Sequence, residues 1–295
     1  MPDTSPSPIE ASGTFLIGGK TLVHRLGFGA MRLTGPGIWG PPADAGEAAR
    51  VLRRAVEAGV DFIDTADSYG PYVSEELIKE ALHPYPEHLV VATKAGMVRM
   101  GPHQWSTLCR PEYLRQECEM SLRRLGLEQI PLWQLHRIDP LVPAEEQYGA
   151  LGDLRAEGKV RHVGLSNVTV PEIVTARQYV PVTTVQNRYN IMERDDDVTL
   201  GYCEREGIGY IPWAPLAEHG PVPQALGAVA AELGATEAQV SIAWLLRRSP
   251  VMLPIPGTSR VAHLEQNCAA GRLTLSDEQF ANLSALRPPT SGGRR

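Results

Sequence analysis

Short apolar runs alternate along the chain with amphipathic segments. Eight runs of four to six residues are typical of buried strands: Leu26–Ala30, Val60–Asp64, Leu89–Thr93, Ile130–Leu135, Val160–Leu165, Thr184–Asn187, Ile208–Pro212 and Val251–Ile255. Segments of helical period follow them, over residues 44–58, 73–82, 111–124, 143–157, 169–178, 193–206, 222–233 with 236–248, and 261–270. Eight strand-then-helix units predict an α/β protein, a (β/α)8 TIM barrel with extra helices near the C-terminus. An open doubly wound sheet is the alternative, but no GxGxxG motif opens a helix after the first strand.

The ends of the chain differ from this repeating pattern. Two short apolar runs, Thr14–Ile17 and Thr21–His24, flank Gly18-Gly19-Lys20 and predict a β-hairpin ahead of the first barrel strand. Residues 1–12 are rich in proline and serine, and residues 287–295 lack apolar positions, so both are predicted to be flexible tails. No linker divides the rest, so residues 13–286 are predicted to form a single domain.

Composition narrows the class of protein. The 295 residues are 43% hydrophobic, which is ample for a large core, and the formal charge of −6 offers no attraction for nucleic acid or an anionic membrane. Four cysteines without CxxC or histidine-ligand spacing indicate reduced thiols and no metal site. The first residues lack signal-peptide features, and no apolar run approaches the ~20 residues that span a bilayer. A cytoplasmic location is therefore expected.

Polar residues stand at the carboxyl ends of the predicted strands, where barrels carry their active sites. Each of these residues alone has an ordinary structural interpretation, such as a helix cap or a core histidine. Together they indicate one site: Asp64, Lys94, His136, Ser166 with Asn167, Gln186, Trp213, and Gly257 with Thr258.

An aspartate, a lysine, a histidine and a nearby tyrosine suit the reduction of a carbonyl group. Tyr69 follows Asp64 by five residues and is the candidate proton donor, since a free phenol has a pKa of roughly 10. Lys94 as an ammonium would stabilise the phenolate, and Asp64 would hold Lys94. His136 would orient the carbonyl oxygen or assist proton delivery, and the sequence leaves both roles open.

Three segments carry a resemblance to a known family: Phe62-Ile63-Asp64-Thr65-Ala66-Asp67-Ser68-Tyr69-Gly70, Ala92-Thr93-Lys94 and Leu135-His136-Arg137. In these the chain resembles the aldo-keto reductase superfamily, from about Leu26 to Leu286. Within the superfamily, the chain resembles bacterial members such as pyridoxal reductases, especially in Leu26–Pro42 and Val185–Asn190. The resemblance implies a catalytic tetrad of Asp64, Tyr69, Lys94 and His136 in an NADPH-dependent reductase of a small aldehyde or ketone.

The same resemblance implies the cofactor residues. Ser166, Asn167 and Gln186 fall where members bind the nicotinamide carboxamide, and Trp213 falls where a ring stacks on the nicotinamide. The adenosine-phosphate segment corresponds to Gly257, Thr258, Ser259, Arg260, Gln266 and Asn267. Gly257 and His263 stand where many members carry a basic residue. Arg260 remains to bind a 2′-phosphate, so NADPH is favoured over NADH.

Loops after strands 1, 3 and 7 (residues 31–42, 95–110 and 214–221) are expected to frame the substrate pocket, with Met31, Trp39, Met97 and Trp105 as candidate walls. Two other functions fit parts of the pattern. One is a Schiff-base aldolase with Lys94 as nucleophile. The other is a cofactor-sensing regulatory subunit, a role that some members of the superfamily have. The sequence does not determine the oligomeric state.

Overall fold

Seven parallel strands form the central sheet of the computed structural model, which describes residues 6–216 and 223–286. In spatial order from one edge they are β3 (Phe28–Gly29), β4 (Phe62–Asp64), β5 (Val90–Ala95), β8 (Ile130–Leu135), β9 (Val160–Ser166), β10 (Val182–Arg188) and β11 (Gly209–Trp213). The registers pair Asp64 with Ala92 and Lys94 with Gln134, so the carboxyl ends of these strands meet at one end of the sheet.

The eighth predicted strand is bonded to both edges of this sheet without forming a regular strand. Tyr210 of β11 donates its N–H to the Val251 carbonyl and accepts from the Leu253 N–H, both at 2.8 Å. Gly27, just before β3, donates to the Pro254 carbonyl at 3.0 Å. Pro254 has no N–H and cannot continue the ladder. The barrel prediction is thus confirmed for seven strands, and the eighth segment connects the two edge strands.

Helices follow the strands much as the periodicity predicts. Their bounds are α2 (Ala45–Glu57), α3 (Val73–Leu82), α4 (Pro111–Leu125), α5 (Ala144–Ala156), α6 (Val170–Ala176), α7 (Asp197–Glu206), α8 (Gln224–Leu233), α9 (Glu237–Arg248), α10 (Val261–Ala269) and α11 (Asp277–Ser284), with 3₁₀ helices at Ala30–Leu33 and Ala270–Arg272. Pro111 lies in the first turn of α4, and Thr236 caps α9 through the Gln239 N–H. These are the helix starts that the sequence indicates.

Two hairpins flank the sheet. The predicted one, β1 (Thr14–Ile17) and β2 (Thr21–His24), buries Ile17 and Val23 against the interior cluster of the sheet, with Phe62 and Leu132. A second hairpin, β6 (Met97–Gly101) and β7 (Gln104–Thr107), lies after β5 and was expected only as a loop. It stands beside the carboxyl ends of the strands, where the candidate site lies.

The structure describes residues 6–12 of the predicted N-terminal tail, and they contain regular structure. Pro8–Ala11 form a short helix, α1, which begins with a capping box between Ser7 and Glu10. Ile9 is fully buried, and Arg272 donates from Nε to the Pro6 carbonyl at 3.1 Å. One apolar side chain and a capped turn thus hold a segment whose proline and serine content alone predicts flexibility. Residues 217–221 of the predicted pocket loop and the predicted tail 287–295 lie outside the described residues.

Candidate active site

The four predicted catalytic residues come together at the carboxyl end of the sheet. Asp64 ends β4, Lys94 lies one residue before the end of β5, and His136 directly follows β8. The Lys94 Nζ donates to Asp64 Oδ1 at 2.6 Å and to the Thr65 carbonyl at 2.7 Å. The same ammonium is 5.3 Å from the centroid of the Tyr69 ring, and the Tyr69 and His136 rings meet edge to face at 5.9 Å.

Two glutamines fix the other oxygen of Asp64. Gln134 of β8 and Gln186 of β10 each donate from Nε2 to Asp64 Oδ2 at 2.9 Å. Gln134 was not predicted, although it lies two residues before His136 and therefore faces the same side of the strand. Gln186 was predicted to bind the nicotinamide carboxamide, and here its amide nitrogen faces Asp64.

Burial dominates the electrostatics of the Tyr69 phenol. Removal from water raises its pKa, the Lys94 ammonium lowers it, and Asp64 raises it again, so that the pKa ends above its ordinary value. Burial also lowers the pKa of Lys94, but attraction to Asp64 and Tyr69 outweighs this effect and leaves it above its ordinary value. The lysine is therefore charged and the phenol holds its proton at neutral pH.

His136 is held as a neutral ring. Burial, and then the positive charges of Lys94, Arg137 and Arg99, lower its pKa well below the ordinary range. Its Nδ1 lies 3.3 Å from the Ser68 Oγ. A neutral imidazole has one N–H, so beside the protonated phenol it can donate one hydrogen bond to a carbonyl oxygen.

Asn167 connects the histidine to the predicted stacking residue. It donates from Nδ2 to the His136 carbonyl at 3.1 Å and to Ser166 Oγ at 2.9 Å, and it accepts from Trp213 Nε1 at 3.1 Å. The Arg188 guanidinium lies 4.9 Å from the centre of the Trp213 ring. The Asn167 amide thus already has protein partners, and the roles of Ser166, Asn167 and Trp213 toward a nicotinamide stay predictions.

Close packing explains the missing basic residue at position 257. A Cβ on Gly257 would lie 2.6 Å from the Gly29 carbonyl oxygen, so this position admits no side chain without a backbone shift. That Cβ would also lie 3.8 Å from Cγ of Arg32. The stem of the Arg32 side chain thus lies close to this segment, on the 3₁₀ helix that follows β3.

The rest of the predicted phosphate segment forms the start of α10. Thr258 is buried and accepts the Arg260 N–H at 3.2 Å, whereas Ser259 and Arg260 are exposed. The Val261 N–H donates to Glu47 at 3.1 Å, and further N–H groups of the first helical turn have no partner within the helix. Exposed Gln266 and buried Asn267 lie farther along α10.

A cavity of about 940 Å³ lies between this helix start and the loop after β3. Met31, Arg32, His103, Ser259 and Arg260 are among its lining residues. Backbone N–H groups of a helix start, two arginines and space for a large ligand suit a phosphate-bearing group. The Glu47 carboxylate also lines the cavity and works against an anion there.

Aromatic walls stand over the tetrad. The Trp105 ring meets the Tyr69 ring at 6.5 Å and the His136 ring at 6.2 Å between centroids, both edge to face. Trp39 is 36% exposed, and its backbone forms a bridge with Gly70, next to Tyr69. Met97 begins β6, so the predicted pocket residues lie on two segments beside Tyr69.

A buried cluster of carboxyl groups lies behind the site. Glu75 accepts from Thr93 Oγ1 at 2.6 Å and from Arg124 at 2.5 Å, and Arg124 also donates to Glu117 at 3.2 Å. Neither carboxyl oxygen of the buried Asp67 has a hydrogen-bond partner among the described residues. Burial, then Glu75 and Glu117, raise the pKa of Asp67 well above its ordinary value.

The described residues contain neither a candidate metal site nor a helix that could span a membrane. Across residues 6–216 and 223–286, no group of three or more histidine, cysteine, aspartate or glutamate side chains could hold a metal ion. No helix within the same ranges is long and apolar enough to cross a membrane.

Comparison with known proteins identifies relatives along nearly the whole chain. Two curated relatives each match 94% of this chain. An uncharacterised oxidoreductase of Schizosaccharomyces pombe is 51% identical over 91% of its length, and the pyridoxine 4-dehydrogenase of Escherichia coli K12 is 44% identical over 99% of its length. Among solved structures, an aldo-keto reductase from Klebsiella pneumoniae in complex with NADPH superimposes with a TM-score of 0.80 at 26% identity, covering 95% of this chain and 97% of that one.

The family model agrees with these relatives. The aldo/keto reductase family model matches residues 25–288, which include every strand of the central sheet and all four predicted catalytic residues. The chain therefore belongs to the aldo/keto reductase family of oxidoreductases.

Proposed function

We propose that this protein reduces an aldehyde to an alcohol with NADPH, and that Tyr69 is the general acid. The observation that carries the proposal is the fully buried Lys94, bonded to Asp64 at 2.6 Å and lying 5.3 Å from the Tyr69 ring. This ammonium is the counter-charge of Asp64, and it also lies beside a protonated phenol. It stabilises the charge that develops on the phenol oxygen as the proton leaves.

The other residues position this pair. Asp64 accepts from Lys94, Gln134 and Gln186, so its charge is fixed without bulk water. His136, neutral and adjacent to the Tyr69 ring, donates a hydrogen bond to the carbonyl oxygen of the substrate. Tyr69 then gives its proton to that oxygen, and Lys94 stabilises the resulting phenolate. NADPH, when bound, supplies the hydride to the carbonyl carbon.

The preference for NADPH rests on two supports. The Klebsiella pneumoniae relative was solved in complex with NADPH. In this chain, Arg260 is exposed at the start of α10 and lines the cavity together with Arg32. A 2′-phosphate there would meet at least one guanidinium and the N–H groups of the helix start, which outweigh the nearby Glu47 carboxylate.

The substrate proposed is an aromatic aldehyde of the pyridoxal type. The Escherichia coli relative, 44% identical, is a pyridoxine 4-dehydrogenase, an enzyme named for the corresponding alcohol. Trp105 beside Tyr69 and His136 gives this pocket a flat apolar wall that suits such a ring.

A direct assay tests the proposal. Purified protein is mixed with NADPH and each member of an aldehyde panel that includes pyridoxal, benzaldehyde and propanal, and the loss of NADPH absorbance is followed. We expect turnover with the aromatic aldehydes, at a lower rate with NADH. No turnover with any aldehyde, despite NADPH binding in a fluorescence titration, would favour the regulatory-subunit alternative.

The aldolase alternative has less support. Lys94 is fully buried and donates to Asp64 and the Thr65 carbonyl, so its nitrogen is a charged donor rather than a free nucleophile. Borohydride trapping with an aldehyde tests this alternative, and we expect no covalent adduct at Lys94.

A further inference from the structure

Arg99, in the unpredicted hairpin β6–β7, uses all of its hydrogen-bond donors on backbone carbonyls. Its Nη1 donates to Ile38 at 2.5 Å and to Ser68 at 2.9 Å. Its Nη2 donates to Gly37 at 2.8 Å and to Gly101 at 3.3 Å, and its Nε donates to Gln104 at 3.3 Å. A guanidinium has five N–H donors, so none is left over for a substrate anion.

The bonded carbonyls belong to three separate segments around the site. Gly37 and Ile38 lie in the loop after β3, Ser68 immediately precedes the catalytic Tyr69, and Gly101 and Gln104 lie in the hairpin itself. The planar fork of an arginine can reach such divergent acceptors at once, and a lysine ammonium with three donors on one atom cannot. The two loops and the catalytic segment are therefore held as one unit.

Backbone strain in the bonded loop indicates that this unit is held firmly. Ile38 has a φ of 55°, a left-handed conformation that is an outlier for a β-branched residue. Such a conformation costs on the order of 1–3 kcal/mol and persists where surrounding contacts enforce it. The Ile38 carbonyl accepts from Arg99 and from the Gly70 N–H at 3.3 Å, so the strained residue is fastened at the catalytic segment.

The face of the same guanidinium supports Trp105. Arg99 and Trp105 are register partners across the hairpin, and the guanidinium carbon lies 3.6 Å from the centre of the Trp105 ring. The ring edge then faces Tyr69 and His136. The orientation of this pocket wall thus depends on a side chain that has no donor available for the substrate.

We propose that Arg99 is the positioning residue for substrate specificity: it fixes Trp105 as a rigid wall and so selects flat aromatic aldehydes over short aliphatic ones. This inference rests on the proposed reductase function and adds the residue that sets the preference for the proposed substrate class. A rigid indole gains contact area with a planar ring conjugated to the carbonyl, whereas a three-carbon aldehyde is too small to use that wall.

The test compares Arg99→Lys, Trp105→Leu and the double variant, using pyridoxal and propanal with saturating NADPH. Arg99→Lys keeps the positive charge but loses the planar guanidinium with its five N–H donors. We expect the KM for pyridoxal to rise about tenfold, or ~1.4 kcal/mol, with kcat changed less than about twofold. The KM for propanal and the Kd for NADPH should stay within about twofold of wild type, as should all parameters of Arg53→Lys, a surface control.

Trp105→Leu should lose the same preference for pyridoxal. The KM for pyridoxal should be no higher in the double variant than in Trp105→Leu, because both changes remove the same pocket wall. If Arg99→Lys does not fold, Trp105→Leu alone carries the test. Equal losses for both aldehydes, no loss for either, or additive losses in the double variant would overturn the assignment. Wild-type turnover of propanal tests the reductase function separately, so the failure of one idea is distinguishable from the failure of the other.

Discussion

Removal of the Lys94 side chain should destabilise the protein far more than removal of a surface lysine. Lys94 is fully buried, and its Nζ donates to Asp64 Oδ1 at 2.6 Å and to the Thr65 carbonyl at 2.7 Å. In Lys94→Met, Asp64 keeps the amides of Gln134 and Gln186 but loses its counter-charge. Breaking a buried ion pair in this way costs about 3–5 kcal/mol, because a buried charge is left uncompensated.

The matched control is Lys159→Met. Lys159 pairs with Glu119, but both side chains are partly exposed, and such a pair contributes about 0–1 kcal/mol. The double variant Asp64→Asn with Lys94→Met removes both charges of this pair, so we expect it to be about 1–3 kcal/mol more stable than Lys94→Met alone.

Urea unfolding followed by tryptophan fluorescence measures the three free energies of unfolding. The reasoning is refuted if Lys94→Met costs less than about 1 kcal/mol, or no more than Lys159→Met. It is also refuted if the double variant is less stable than Lys94→Met, since an uncompensated Asp64 charge could not then be the cause.

Three further predictions concern protonation and the cofactor. Since the pKa of Tyr69 is raised and that of His136 is well below its ordinary value, kcat/KM for reduction should be flat from about pH 7 to 9. A rise or fall of kcat/KM within this range would contradict a protonated Tyr69 and a neutral His136. The pKa of Asp67 is raised in the fold, so the wild type loses stability as pH rises above the pKa of the unfolded state. Asp67→Asn should therefore be more favourable to the free energy of unfolding at pH 8 than at pH 5, by up to ~1.4 kcal/mol per pH unit; an equal effect at both pH values would count against the raised pKa. Arg260→Ala should erase most of a ~10- to 100-fold preference for NADPH in kcat/KM, or ~1.4–2.8 kcal/mol, through KM with kcat unchanged; equal use of NADPH and NADH by the wild type would contradict its role.

Periodicity and strand ends were sufficient to predict most of the fold and the meeting of the four candidate residues at one end of the sheet. The side chains of Asp64, Lys94 and His136 meet because the carboxyl ends of parallel strands lie at one end of the sheet. The order of strands and strand ends along the sequence is enough to predict this grouping. The N-terminal hairpin was also readable, because two glycines mark its turn. In α11, Ser276 and Gln279 form a capping box whose signal is visible in the sequence but was not used.

Contacts between segments that are distant in the sequence could not be predicted from the sequence. Gln134 on β8 donates to Asp64 on β4, and β5 lies between these two strands. Arg99 donates to a carbonyl 62 residues away. Neither partner is therefore specified by the local sequence. Ile9 was assigned to a tail because composition outweighed a single apolar residue. The eighth strand was predicted as regular although Pro254 removes a ladder donor. The net rise in the pKa of Tyr69 needed the buried geometry, since Lys94 alone would lower it.

The most direct test of the central claim is the Tyr69→Phe variant. The change removes the phenolic hydroxyl and keeps the buried ring beside Trp105 and His136. We predict that kcat for aldehyde reduction falls at least ~10²-fold, the scale of general acid catalysis, while the Kd for NADPH measured by fluorescence titration stays within about twofold of wild type. A Tyr69→Phe enzyme that retains more than about half of the wild-type kcat would show that the proton comes from another group.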